Sequence, residues 1–89
     1  MTYAEMNILA CKIKDEFLRE KCIKFGICDT LHKLVCMYMN GLGYWGAKCI
    51  DREYIYSLCE SDKETLKRVA KWYYAGKQPH NYLSAAMSF

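Results

Sequence analysis

The sequence predicts an all-α fold, a single small orthogonal bundle of four to five helices, and three observations predict it. Apolar residues recur at the spacing of an amphipathic helix through most of the chain. Two capping-box sequences, Thr2-Tyr3-Ala4-Glu5 and Ser61-Asp62-Lys63-Glu64, mark helix starts, and Gly26, Gly41 and Gly76 supply stops. At 89 residues the chain makes one domain over its whole length, 1–89.

The first helix is expected over 3–25, about six turns. Tyr3, Met6, Leu9, Ala10, Ile13 and Phe17 form one apolar face, and Ala4, Cys11, Leu18, Cys22 and Phe25 a second strip beside it. A helix apolar over more than half its girth touches two neighbours, so this one is expected at the centre. Asp29 or Thr30 caps a second helix over 30–40, with Leu31, Leu34, Val35 and Tyr38 as its stripe. Leu34 to Met39 alone also fits a buried strand, but no convincing pairing strand is seen elsewhere. Asp51 caps a third helix over 51–60, with Ile55, Leu58 and Cys59 inward and a start as early as Ala47 as the alternative. The fourth helix, 62–75, carries Leu66, Val69, Ala70 and Tyr73 at faultless spacing, and Pro79 lies beyond its end. Asn81 caps a last short helix over 82–88.

Composition then bounds function. Apolar residues make up 53% of the chain, against roughly 45–50% in an average domain, and a domain this small has a marginal core. Eight Tyr, three Phe and two Trp are more ring than such a core holds, so the surplus is expected at an interface, with a partner or a second copy of the chain. The net charge of +3 is spread evenly, each third of the sequence carrying +1. That argues against a broad phosphate-binding face and excludes a DNA mimic.

Six cysteines invite a disulfide reading. The N-terminus, however, is broken by Glu5, Lys12 and Lys14 and shows no export signal, and most cysteines fall at apolar helix positions. Reduced, buried thiols in a cytoplasmic protein are expected. The longest charge-free run, Leu34 to Ala47, is interrupted by three glycines and is too short to span a bilayer.

Few motifs carry chemistry. Gly41-Leu42-Gly43-Tyr44-Trp45-Gly46 matches a dinucleotide-binding glycine pattern in letters only, since it follows a helix and not a strand. No cofactor is expected. The same segment reads better as a loop offering Leu42, Tyr44 and Trp45 to a partner, the alternative being that Trp45 folds into the core. Cys28, His32 and Cys36 are metal-ligand types, but their outer members lie about 12 Å apart along a helix, beyond what one zinc bridges. No metal site is expected. A Cys–His nucleophile is conceivable with His32 or His80, yet no catalytic signature surrounds any thiol, and the chain is not expected to be an enzyme. Lys63, Lys67 and Lys71, with Arg68 beside them and Lys77 beyond, form a basic stripe on the fourth helix for a phosphate or acidic-protein contact. The third and fourth helices stand too close for a helix-turn-helix. Phe89 either docks on the core or serves as an arm.

The function expected is a non-catalytic protein–protein interaction module, an inhibitor or adaptor that occludes a surface of a larger assembly, of the compact accessory kind found in viruses and mobile elements. Its contacts would come from Leu42, Tyr44, Trp45, Lys63, Lys67, Arg68 and Lys71. The alternative is a small nucleic-acid-binding regulator using the fourth-helix stripe.

Overall fold

The computed structural model describes residues 1–76 and 81–89. Lys77, Pro79 and His80 lie outside the described residues. The chain is mostly helical, with a small two-stranded sheet: α1 (Tyr3–Cys11), α2 (Glu16–Phe25), α3 (Ile27–Asn40), β1 (Leu42–Trp45), β2 (Lys48–Asp51), α4 (Arg52–Ser57), α5 (Glu60–Tyr73) and α6 (Asn81–Met87).

The helix expected over 3–25 is two helices. Thr2 caps α1 as its sequence implies, accepting from the Glu5 amide at 3.2 Å. The chain turns at residues 12–15, where the Ile13 amide bonds Ala10 O in a tighter turn, and Asp15 caps α2 by accepting from the Leu18 amide at 3.0 Å. The amides freed at the break are taken by Asp62 of α5, which accepts from Lys14 N–H at 2.8 Å and Asp15 N–H at 2.9 Å. Ile13 is buried at this corner, so the apolar periodicity runs through a point where the backbone turns. In consequence α1 is peripheral. Ala10 is its one buried residue, and Tyr3 and Ile8 face out.

The central helix is α3, which packs against α1, α2, α4, α5, α6 and both strands. It begins at Ile27, before the caps expected at Asp29 and Thr30. Gly26, at φ +90°, sits between α2 and α3 in a region open to glycine and strained for other residues. Thr30 is buried and caps the preceding helix instead, its hydroxyl donating to Lys21 O at 3.1 Å. Leu34 to Met39 is helical, not a strand.

The strands that the sequence did not announce lie just beyond. β1 and β2 form an antiparallel hairpin with Leu42 opposite Asp51, Gly43 opposite Ile50, Tyr44 opposite Cys49 and Trp45 opposite Lys48. Gly46, at φ +65°, holds the first turn position, where a type II′ hairpin places glycine. Two strands alone are marginal; here Trp45 and Ile50 are sunk in the core. Gly43 lies so close to α3 that a Cβ there would stand 2.5 Å from Met37 Cγ.

Asp51 caps α4 through the Tyr54 amide at 3.0 Å, and this helix ends at Ser57, short of Glu60. Cys59, not Ser61, stands at the N-cap of α5 and makes no side-chain cap hydrogen bond, and Asp62 is turned inward to the α1–α2 corner. Phe89 docks on the core, its ring 5.2 Å from that of Tyr38.

The thiols are less buried than expected. Cys22 is buried and Cys36 intermediate, while Cys11, Cys49 and Cys59 are exposed. Cys28 is intermediate and lies 3.3 Å from Met6 Sδ. Cys11 ends α1 on its outer side, Cys49 faces outward beside Tyr44, and Cys59 stands at the head of α5. Among the described residues no helix is long and apolar enough to cross a membrane.

Candidate functional site

The hairpin divides the residues proposed for its loop by strand alternation. Leu42 and Tyr44 point out, and Tyr44 is 70% exposed. Trp45 points in and is 5% exposed, so it is a core residue and not a surface anchor. Its indole lies against the rings of Phe17, at 6.0 Å between centroids, and Phe25, at 6.1 Å.

The fourth-helix stripe is also divided. Lys63 is largely covered and stands 4.0 Å from Glu60. Lys67 is half-buried, and only Arg68 and Lys71 are fully at the surface. The hairpin face and the stripe therefore present two exposed residues each, Leu42 with Tyr44 and Arg68 with Lys71.

A concave site forms elsewhere. The N-terminal end of α1, the α2–α3 corner and the C-terminal end of α5 enclose a groove of about 860 Å³. Tyr3, Met6, Phe25, Ile27, Trp72 and Tyr73 supply its apolar walls, and Asp29 a carboxylate. Three of its rings are open to solvent: Tyr3 is 85% exposed, Phe25 45% and Trp72 42%. The break after Cys11 creates this groove, because it leaves the start of α1 standing off the corner at Gly26 instead of continuing into α2. The spacing of Tyr3 and Phe25 placed them on apolar helix faces. The signal that pointed outward was the excess of rings over core capacity.

Phe25 also begins a second feature. Phe25, Trp45, Phe17 and Tyr54 form a row of rings, the last pair 5.9 Å apart. Lysines lie on it: Lys21 Nζ stands 5.3 Å from Phe17, 5.8 Å from Phe25 and 5.7 Å from Trp45. Lys33 is 4.9 Å from Trp45, and Lys48 is 4.3 Å from Phe17 and 4.5 Å from Tyr54. Such contacts contribute roughly 0.5–1 kcal/mol each at a surface. At the end of the row Tyr54 donates to Asp15 Oδ2 at 2.6 Å. Burial first, then this hydrogen bond to a carboxylate, holds the Tyr54 phenol protonated well above its ordinary range.

His32 is the other polar centre. Its Nδ1 lies 2.8 Å from the Tyr74 hydroxyl and its Nε2 3.7 Å from Cys36 Sγ. The tautomer sets the directions: a proton on Nδ1 is donated to Tyr74 while Nε2 accepts from the Cys36 thiol, and a proton on Nε2 reverses both. The i, i+4 spacing on α3 creates the second contact, and the rings of Tyr73, Tyr74 and Tyr82 pack around the imidazole with centroids 5.4–6.4 Å away. Burial, and then the neighbouring Cys36 and tyrosines, raise the Tyr74 phenol. Among the described residues no group of three or more His, Cys, Asp or Glu is placed to hold a metal ion.

No known family, curated protein or solved structure matches this chain.

Proposed function

We infer that this chain is a non-catalytic docking module that takes an apolar segment of another protein into the groove between α1, the α2–α3 corner and α5. The observation that carries this reading is the exposure of Tyr3, Phe25 and Trp72 around one cavity. Tyr and Trp are the residues that most often anchor protein interfaces, and a contiguous exposed apolar patch marks an interaction surface. Leu42 and Tyr44 add a smaller apolar outcrop on the hairpin. An inhibitor or adaptor that occludes part of a larger assembly would work by this contact alone. A nucleic-acid regulator using α5 has less support, since Lys63 is covered and faces Glu60 and Lys67 is half-buried.

The experiment is affinity capture from the native cell with the parent chain and the variants Trp72→Ala, Tyr3→Ser and Tyr44→Ala. Trp72→Ala and Tyr3→Ser should lose the partner while keeping the helical circular dichroism. Loss of capture with Tyr44→Ala alone would move the site to the hairpin. Light scattering on the parent separates a second copy of the chain from a foreign partner. Capture unchanged in all three variants would remove this reading.

A further inference from the structure

We propose that the partner segment is acidic beside its apolar anchors, and that its carboxylates are received by Lys21, Lys33 and Lys48 on the ring row that adjoins the groove. This rests on the docking reading of the groove and names its occupant. Groove and row are continuous, because Phe25 lines the first and begins the second, and a smaller hollow of about 170 Å³ between Phe25, Asp29, Lys33 and Trp45 joins them.

The row is basic and unneutralised. Among the described residues the one ion pair is Lys63–Glu60 on α5, so none of these three ammonium groups is matched by a carboxylate. Lys24, over the outer face of Phe25 at 5.2 Å, adds a fourth. Their stems lie along rings, which holds the charges in place before a partner arrives and lowers the ordering cost of binding. Asp29 at the seam is the local exception.

The same geometry separates an acidic peptide from a nucleic acid. Single strands bind by stacking bases on open ring faces, but here Trp45 is 5% exposed and the lysines cover Phe17 and Trp45. The open rings of Tyr3 and Trp72 line the groove, whose described lining residues include Asp29 and no lysine or arginine, so bases stacked there would meet a carboxylate and no phosphate contact. A peptide with large apolar residues next to Asp or Glu uses both surfaces.

The test is selection of a phage library of random linear peptides on the immobilised full chain, followed by titration of the best synthetic peptide. A fluorescent oligothymidylate and a fluorescent DNA duplex serve as parallel probes. Selected peptides should pair apolar residues with Asp or Glu, and their affinity should fall with salt. It should also fall about tenfold when Lys21, Lys33 and Lys48 all become Gln, and about thirtyfold with Trp72→Ala. Replacing the peptide's own Asp and Glu by Asn and Gln should reproduce the lysine effect without touching the fold. Apolar peptides that need Trp72 but ignore the lysines and salt would overturn the acidic-partner inference and leave the groove standing. Peptides indifferent to Trp72→Ala and Tyr3→Ser would overturn the groove reading and this inference with it. Lysine-dependent binding of either oligonucleotide with no acidic peptide selected would overturn the inference in favour of nucleic acid, and no binding of any probe would overturn it outright.

Discussion

Asp62 is the residue whose loss should cost this fold most for its size. It is 1% exposed and its two oxygens accept the Lys14 and Asp15 amides at 2.8 and 2.9 Å. Alanine there removes both acceptors and strands two backbone donors at the α1–α2 corner. A hydrogen bond to a charged group contributes about 1.5–3 kcal/mol. The corner is part-open, since Lys14 is exposed, so water satisfies some of what is lost and the lower end applies, about 3 kcal/mol for the pair. A chain of this length has a total of about 4–13 kcal/mol. With a urea slope of about 1 kcal/mol per molar, the midpoint should drop by about 3 M. Asp62→Asn keeps one acceptor and should lose about half as much. The assay is urea unfolding followed by circular dichroism, with amide exchange at Lys14 and Asp15 as the local readout. A midpoint for Asp62→Ala within about 0.5 M of the parent, with both amides still protected, would refute the account of how the chain is broken after α1.

Three further outcomes follow from the packing. Trp45→Ala should destabilise by about 3–5 kcal/mol as a core truncation, while Tyr44→Ala next to it should stay within about 0.5 kcal/mol; calorimetry of the two variants checks the alternation of β1. Gly43→Ala should cost about 1–3 kcal/mol because its methyl meets Met37, and a double-mutant cycle with Met37→Ala should show coupling where a cycle with Leu42→Ala shows none. The buried Cys22 thiol is pushed up from 9.0 to about 12, by burial first, against a smaller lowering by its Thr30 hydrogen bond. The folded chain thus holds a proton that the unfolded chain releases above pH 9, so this contribution is whole below that point and is lost as pH rises toward 12. Through Cys22 alone the unfolding free energy should fall by about 1.4 kcal/mol between pH 8 and 10, on top of the loss from the raised Tyr54 and Tyr74 phenols, and Cys22→Ala should remove that share of the slope in urea titrations at the two pH values.

Much of the fold was legible because local signals and burial agree there. The Thr2 and Asp51 caps hold as their sequences imply. Leu31, Leu34 and Val35 on α3, and Leu66, Val69 and Ala70 on α5, are all buried as their spacing requires. The candidate site was much less legible. Tyr3, Phe25 and Trp72 come from three separate helices, and periodicity says which face a ring shares with its neighbours, not whether anything covers that face. Lys21, Lys33 and Lys48 are spread over two helices and a strand, so no run of charge marked them.

Local sequence was enough for a mostly helical fold and for the inward stripes of α3 and α5, because those depend on 3.6-residue spacing and on caps within one turn. Tertiary structure decided the rest. The corner at residues 12–15 has no glycine or proline, and its apolar pattern continues unbroken; it forms because Asp62, remote in sequence, accepts its amides. The hairpin persists because Trp45 and Ile50 reach the core. Whether an aromatic ring was buried or left exposed depended on which helices came to stand beside it, and that is a long-range property no local spacing encodes.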